Sequence, residues 1–223
     1  MKYRHEWKHE ITYGDMLVLR GRLARIAERD KHTINGKYEI RSLYFDTLTD
    51  KALKEKIDGV NIREKFRIRY YNGDLSFIKL EKKSKVNGLC RKESAFLSIE
   101  SVQAILNGNY GALIGNGQPL ITEFYSKITG GGLRPKTIVD YTREPFVFAP
   151  GNVRITLDYN IRSDLQNTDF LNPNSVTVSV GNAPIILEVK WDEYLPDIIR
   201  DAVQLGNCRT GAFSKYAACR IYG

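Results

Sequence analysis

The chain has 223 residues, of which 42% are apolar and 27% charged. That length can bury a core without disulfides or metal staples, and an ordinary composition with no long biased stretch excludes a disordered or low-complexity chain. Thirty-four Lys and Arg against twenty-six Asp and Glu leave a formal net charge of +8, which favours an anionic partner: nucleic acid, a phosphorylated small molecule, polyphosphate or an anionic membrane.

The opening MKYRHEWKHE is charged and lacks the apolar stretch of a signal peptide. Residues 3–11 alternate with a period of two and predict a strand. Thr12-Tyr13-Gly14-Asp15 resembles a capping box with a short acid in place of Glu or Gln. Met16, Leu19, Leu23 and Ile26 follow at helical spacing, and the helix is expected to end near Asp30. Tyr38–Asp46 reads as a strand and residues 50–57 as a short helix. Strands follow over 62–71, 75–83 and 89–97, with Asn72-Gly73 and Asn87-Gly88 as the turns between them. A helix over 98–106 precedes a Gly- and Asn-rich loop over 107–119, then a helix over 120–128 stops at Gly130-Gly131-Gly132. Strands resume over 136–146, 153–160, 176–180 and 185–191. Helices over 194–205, with a proline near its first turn, and 213–222 complete the chain.

No run of about eighteen apolar residues could form a membrane-spanning helix. Cys90, Cys208 and Cys219 are odd in number and lack metal-like spacing, so a reducing, cytoplasmic compartment is expected. No linker forces a division, and residues 1–223 are read as a single domain. The fold class is α+β with mostly antiparallel pairing, since hairpin-length turns dominate.

Side chains two apart on a strand share a face, and sorting the strands this way collects charge. Arg4, Glu6, Lys8 and Glu10 share one face. Lys65, Arg67 and Arg69 oppose Phe66, Ile68 and Tyr70. Lys79, Glu81 and Lys83 oppose Ile78 and Leu80. Arg91 shares a face with Glu93, Arg154 and Thr156 with Asp158, and Glu188 with Lys190. A sheet with its polar face in water accounts for any one of these strands. The set, rich in Arg and Lys with recurring single carboxylates, instead suggests a sheet closed around its charged face. A barrel of about eight strands has room inside for one elongated ligand. Unpaired buried charges are costly, and an anionic ligand with a divalent cation would offset that cost.

The chain resembles the VTC domain, the polyphosphate-polymerase domain of the vacuolar transporter chaperone complex, and its stand-alone bacterial relatives. These are triphosphate tunnel metalloenzymes, a group that includes the CYTH proteins. The likeness is carried in order by Arg4-His5-Glu6-Trp7-Lys8, Ser42-Leu43-Tyr44-Phe45-Asp46, Phe66-Arg67-Ile68-Arg69-Tyr70-Tyr71, Leu80-Glu81-Lys82-Lys83, Tyr141-Thr142-Arg143, Arg154-Ile155-Thr156-Leu157-Asp158, Leu187-Glu188-Val189-Lys190 and Phe213-Ser214-Lys215-Tyr216. Each segment is short, and together they span nearly the whole chain.

The resemblance implies a closed antiparallel β-barrel of about eight strands, flanked by helices, with a basic lumen for a triphosphate or polyphosphate chain. It implies one divalent metal, Mn²⁺ or Mg²⁺. Lys8, Arg67, Arg69, Lys83, Arg143, Arg154 and Lys215 sit where the family places phosphate-binding residues. Ser214 matches a phosphate-contacting hydroxyl, and Tyr141 a tyrosine on the phosphate or nucleotide side. Glu188 matches the metal-binding glutamate, and Glu81 is a candidate second ligand or a partner of the lysines around it. The expected reaction passes the γ-phosphoryl group of ATP to a growing polyphosphate chain, with Lys8, Arg67, Arg69, Lys83 and Glu188 as the catalytic group. The first strand departs from the ExExK of CYTH proteins, with Glu6, Lys8 and then Glu10. That departure favours the polymerase over an inorganic or nucleoside triphosphatase; a non-catalytic polyphosphate-binding module is the third reading. No RNP-type aromatic motif or basic helix points to a specific nucleic acid. His5, His9 and His32 show no ligand spacing, and Asp46 reads as a turn residue.

Overall fold

The computed structural model describes residues 4–165, 169–181, 184–206, 209–211 and 213–222. Tyr3, the expected start of the first strand, and Cys208 lie outside the described residues. Strand β1 (His5–Ile11) leads into helix α1 (Tyr13–Ile26). The capping box forms as expected: Asp15 N donates to Thr12 Oγ1 at 3.1 Å, and Thr12 N donates to Asp15 Oδ2 at 3.0 Å. The helix stops at Ile26, with its last apolar position, short of the end expected near Asp30. Ala27 turns extended, and Glu28–Arg29 becomes strand β2, paired with Val147 and Phe146.

Strand β3 (Tyr38–Asp46) and helix α2 (Lys51–Ile57) precede three strands in a meander: β4 (Arg63–Tyr71), β5 (Asp74–Val86) and β6 (Leu89–Leu97). Both turns of the meander are two residues long with positive φ throughout: Asn72 and Gly73 at 53° and 72°, Asn87 and Gly88 at 49° and 82°. These are the conformations that match the twist of the flanking strands and that Asn-Gly adopts most readily. Helix α3 (Ile99–Leu106) is capped by Ser98. The expected loop over 107–119 contains a 3₁₀ turn, Tyr110–Leu113, which buries Leu113. Helix α4 (Pro119–Thr129) leads to the long strands β7 (Arg134–Phe148) and β8 (Val153–Asp164), both longer than their apolar alternation indicates. Of the strand expected over 176–180, only β9 (Val178–Ser179) pairs. Strand β10 (Ile185–Trp191) precedes helix α5 (Asp197–Val203). This helix is shorter than expected because Pro196 is its N-cap and keeps the preceding residue out of the helix. Strand β11 (Arg209–Thr210) and helix α6 (Lys215–Tyr222) follow.

The fold is α+β. All pairings are antiparallel, and the main order is β11-β1-β10-β8-β7-β3-β4-β5-β6, with β2 on β7 and β9 on β8. The sheet curls until its far sides approach: Arg4, just before β1, forms one isolated bridge with Cys90 in β6. A single bridge is not a ladder, so the structure gives a curled antiparallel sheet where a closed barrel was expected.

Helices cover the convex face. Val102, Ile105, Ile121, Phe124 and Ile128 of α3 and α4 pack on Leu43, Phe45, Phe66, Ile68 and Leu80. Met16, Leu19 and Leu23 of α1, with Ile199 and Val203 of α5, pack on Ile155, Leu157, Leu187 and Val189. Helix α6 behaves differently. Its Tyr216 and Cys219 join Tyr38, Ile40, Tyr44, Val139 and Tyr141, whose side chains share the concave face. Strand β3, covered on both sides, is therefore buried almost throughout. Asp46 ties α6 to α2: its carboxylate accepts from the backbone N–H groups of Thr47, Ala52 and Leu53 and, at 2.6 Å, from the Tyr216 hydroxyl. It was expected in a turn and is instead the last residue of β3, opposite Arg134, and the anchor of two helices.

Candidate functional site

The concave face beside α6 encloses a cavity of about 360 Å³. All eleven residues singled out from the sequence line it: Lys8, Arg67, Arg69, Glu81, Lys83, Tyr141, Arg143, Arg154, Glu188, Ser214 and Lys215. Strand alternation puts them there. Lys65, Arg67 and Arg69 of β4 stand opposite Lys83, Glu81 and Lys79 of β5, while Lys8 of β1 faces Glu188 of β10, which faces Thr156 of β8. Apart from Arg91, which stands on the convex side, eleven lysines and arginines line the cavity against three glutamates; with Arg4 paired to Asp192, Arg154 to Asp30, and Arg143 and Lys215 to Asp158, a cationic excess remains.

The three glutamates are each held by several cations. Glu81 Oε2 accepts from Arg67 Nε at 2.7 Å, lies 3.7 Å from Arg69 Nη1, and its other oxygen meets Lys92. Glu188 lies 3.3 Å from Lys8, 3.2 Å from Lys190 and 3.4 Å from Arg143. Glu6 accepts from Lys83 at 2.8 Å and reaches Lys190 at 3.4 Å. Burial opposes ionisation of Glu188 and Glu81, but the neighbouring cations outweigh it and hold both carboxyls well below the usual range. Burial likewise opposes charge on Lys8, yet Glu188 and Glu6 raise its pKa.

The arginines are oriented by second partners. Arg67 Nη1 donates to the Tyr44 hydroxyl at 2.8 Å. Arg69 donates to Ser42 Oγ at 2.9 Å and to the Tyr141 hydroxyl at 2.7 Å. Arg143 makes a two-pronged pair with Asp158, both bonds at 2.7 Å, and Lys215 meets the same carboxylate. Asp158 is fully buried; burial alone would raise its pKa, but Arg143 and Lys215 hold it down at about 2. The ring of Tyr141 lies under Arg69, Arg143 and Lys215 at 4.6–5.6 Å. Ser214 precedes α6, where its Oγ accepts from Ala217 N at 3.4 Å; it serves as a helix-start hydroxyl while also facing the cavity. Arg154 is at the rim, more than a third exposed and bound to Asp30 at 3.0 Å.

Lys65 is a different case. It sits 5.6 Å above the Tyr44 ring and reaches Ser214 Oγ at 3.4 Å. Burial, together with Lys83, Lys8 and Arg67, pushes its ammonium down to about 7. The same cations act on Tyr44: burial would raise its pKa, but Arg67, Lys65 and Arg69 lower it to about 7.

Strand β6 corrects one expectation. Glu93 stands opposite Lys82 and Arg91 opposite Ser84, on the convex side, whereas Lys92 stands opposite Lys83 and turns inward to Glu81. The signal was present in the sequence. A two-residue turn at Asn87-Gly88 makes Val86 the partner of Leu89, which fixes Lys92 opposite Lys83. Tyr44, Lys65, Lys92 and Lys190 also line the cavity, and Asp158 stands behind it as the partner of Arg143 and Lys215. None of these was a candidate site residue at the sequence level.

Among the described residues no three His, Cys, Asp or Glu side chains gather to hold an ion. A magnesium-type ion commonly takes one or two protein carboxylates and completes its shell with substrate phosphates and water. Glu188 fits that role as a single carboxylate, and the described residues supply no complete cage. Among the described residues, no helix is long and apolar enough to cross a membrane.

The VTC domain family matches residues 3–221. Similar solved structures include a Bacillus halodurans protein provisionally described as an adenylate cyclase, at 15% identity and a TM-score of 0.52, covering 85% of this chain and 80% of that one. A Pyrococcus horikoshii protein, at 14% identity and a TM-score of 0.46, covers 90% of this chain and 84% of its own. The first of these likenesses concerns the fold alone. Among curated proteins, none matches.

Proposed function

The chain belongs to the VTC domain family, and on that premise we propose that it is a polyphosphate polymerase that threads a phosphate chain through the cavity. The observation that carries this reading is the excess of eleven cationic side chains on the concave side over three glutamates in one cavity. Such an excess suits a linear polyanion. The proposal takes the approach of Arg4 to Cys90 as the seam of a tunnel and the whole chain as one domain.

In this reading Arg67 and Arg69 present guanidinium forks to phosphate oxygens, with Lys8, Lys83, Arg143 and Lys215 as further clamps and Arg154 at the rim. Ser214 and Tyr141 add hydroxyls. Glu81 holds the two arginines in place, which fits its contacts better than a metal role. Glu188 would hold a divalent cation, Mn²⁺ or Mg²⁺, which would supply positive charge against the phosphates during transfer. The γ-phosphoryl group of ATP passes to the terminal phosphate of the chain, and ADP leaves. The attacking oxygen is already anionic, so no general base is assigned. What the protein supplies is alignment and charge neutralisation.

Phosphorus NMR of the protein with ATP and Mn²⁺, with and without a short polyphosphate primer, tests the reaction. A growing internal-phosphate signal is expected. Orthophosphate without polymer would replace the polymerase with a triphosphatase. Absence of turnover, with polyphosphate still bound, would leave a binding module.

A further inference from the structure

The concave face of β4 and β5 carries positive charge beyond the cavity itself. Its successive rungs pair Arg69 with Lys79, Arg67 with Glu81, Lys65 with Lys83, and Arg63 with Lys85. Only the Arg67 rung brings opposite charges together, and like charges directly opposite each other repel. Lys83 is compensated by Glu6 from β1. Among the described residues no carboxylate pairs with the outermost rung, and Arg63 turns its guanidinium to the carbonyl of Val60.

That rung opens into a second cavity of about 310 Å³, which shares Glu6, Lys8, Lys65, Lys83 and Ser214 with the first. It adds Lys56 from α2, together with Arg63 and Lys85. Its other carboxylate, Glu64, is already engaged by Lys82 and Lys127. The charges that bear on Lys56 are Arg63, Lys8 and Lys85, all positive, and with burial they push its ammonium below the usual lysine range. Two residues of strand separate the rungs, so the Arg63–Lys85 rung lies about 7 Å beyond Lys65 and Lys83. A linear anion leaving the interior along β4 and β5 would meet these three side chains next.

We propose that Lys56, Arg63 and Lys85 form a second anion-binding station at this mouth, holding the part of a linear polyphosphate that extends past the interior. The station distinguishes long chains from short ones. It rests on the reading of the interior as a phosphate site.

Titration calorimetry with tripolyphosphate and with long-chain polyphosphate, over a range of salt, tests the station. The wild-type protein should bind the long chain more tightly than tripolyphosphate. The combined variant Lys56→Ala, Arg63→Ala, Lys85→Ala should bind tripolyphosphate within about twofold of wild type, while long-chain affinity falls about tenfold and its salt slope drops by roughly 2. Equal loss for both ligands, or loss for neither, overturns the station. If the combined variant does not fold, Lys56→Gln alone must weaken long-chain binding about threefold and spare tripolyphosphate; no loss overturns the proposal. A wild-type protein that binds tripolyphosphate as tightly as the long chain refutes the station alone. One that binds neither refutes the interior site as well.

Discussion

Lys65 sets the strongest constraint on the cavity. Its ammonium is lowered to about 7, against an ordinary value of about 10.4. Between those values the unfolded chain binds more protons than the folded one, so stability rises with pH across that window. Tyr44, also lowered to about 7, acts in the same direction. Lys65→Met should therefore raise the melting temperature of the ligand-free protein near neutral pH by about 2–4 °C, corresponding to roughly 1 kcal/mol. It should flatten the pH dependence and weaken tripolyphosphate binding about tenfold. Calorimetric melting across pH would contradict this if the variant melted lower at neutral pH. Glu188→Gln separates the metal from the anion. Metal-dependent turnover should fall about 100-fold or more, while tripolyphosphate binding without metal is kept or tightened, since a negative charge has left the site. Loss of metal-free binding would show that Glu188 only organises Lys8 and Lys190. At this scale the sequence was informative where alternation and family likeness agreed, as at Arg67 and Arg69. It was silent on Asp158 as the shared partner of Arg143 and Lys215, because that contact joins β7, β8 and the start of α6 across long sequence separations.

The elements were legible where local rules decide them. The Thr12–Asp15 box, the two Asn-Gly turns and the Ser98 cap all form. The misses have tertiary causes. Residues 28–29 leave the helix to pair with β7, and β7 and β8 extend because long-range partners exist for them. The placement of α6 on the concave face was not legible, since its apolar spacing does not say which surface it covers. Asp46 is what secures that helix. Asp46→Ala removes an acceptor from the backbone N–H groups of Thr47 and of Ala52 and Leu53 at the α2 start, and from the Tyr216 hydroxyl. A loss of about 3 kcal/mol or more is expected, which lowers the urea midpoint by roughly 1–2 M. An unchanged midpoint would show that α2 and α6 are held by apolar packing alone.

Across the whole molecule the charges fall into two populations. Convex-face residues such as Lys82 with Glu123 and Glu64 pair locally, whereas the concave face concentrates cations in excess of its carboxylates inside a curled sheet. Curvature is what converts the alternation of single strands into a cavity, and sequence alternation alone does not specify it. A ligand that binds only the folded state at 100 times its dissociation constant adds about 2.7 kcal/mol of stability. Saturating tripolyphosphate should therefore raise the melting temperature by roughly 5–10 °C, and the gain should shrink as salt increases. The most direct measurement is titration calorimetry of tripolyphosphate into the wild-type protein and into Arg67→Ala, repeated near neutral pH in buffers of different ionisation enthalpy. The account predicts saturable binding with net proton uptake, as the bound anion restores the charge on Lys65, and a loss of at least tenfold in the variant. Absence of binding by the wild-type protein, or equal binding by the two, would contradict the phosphate cavity.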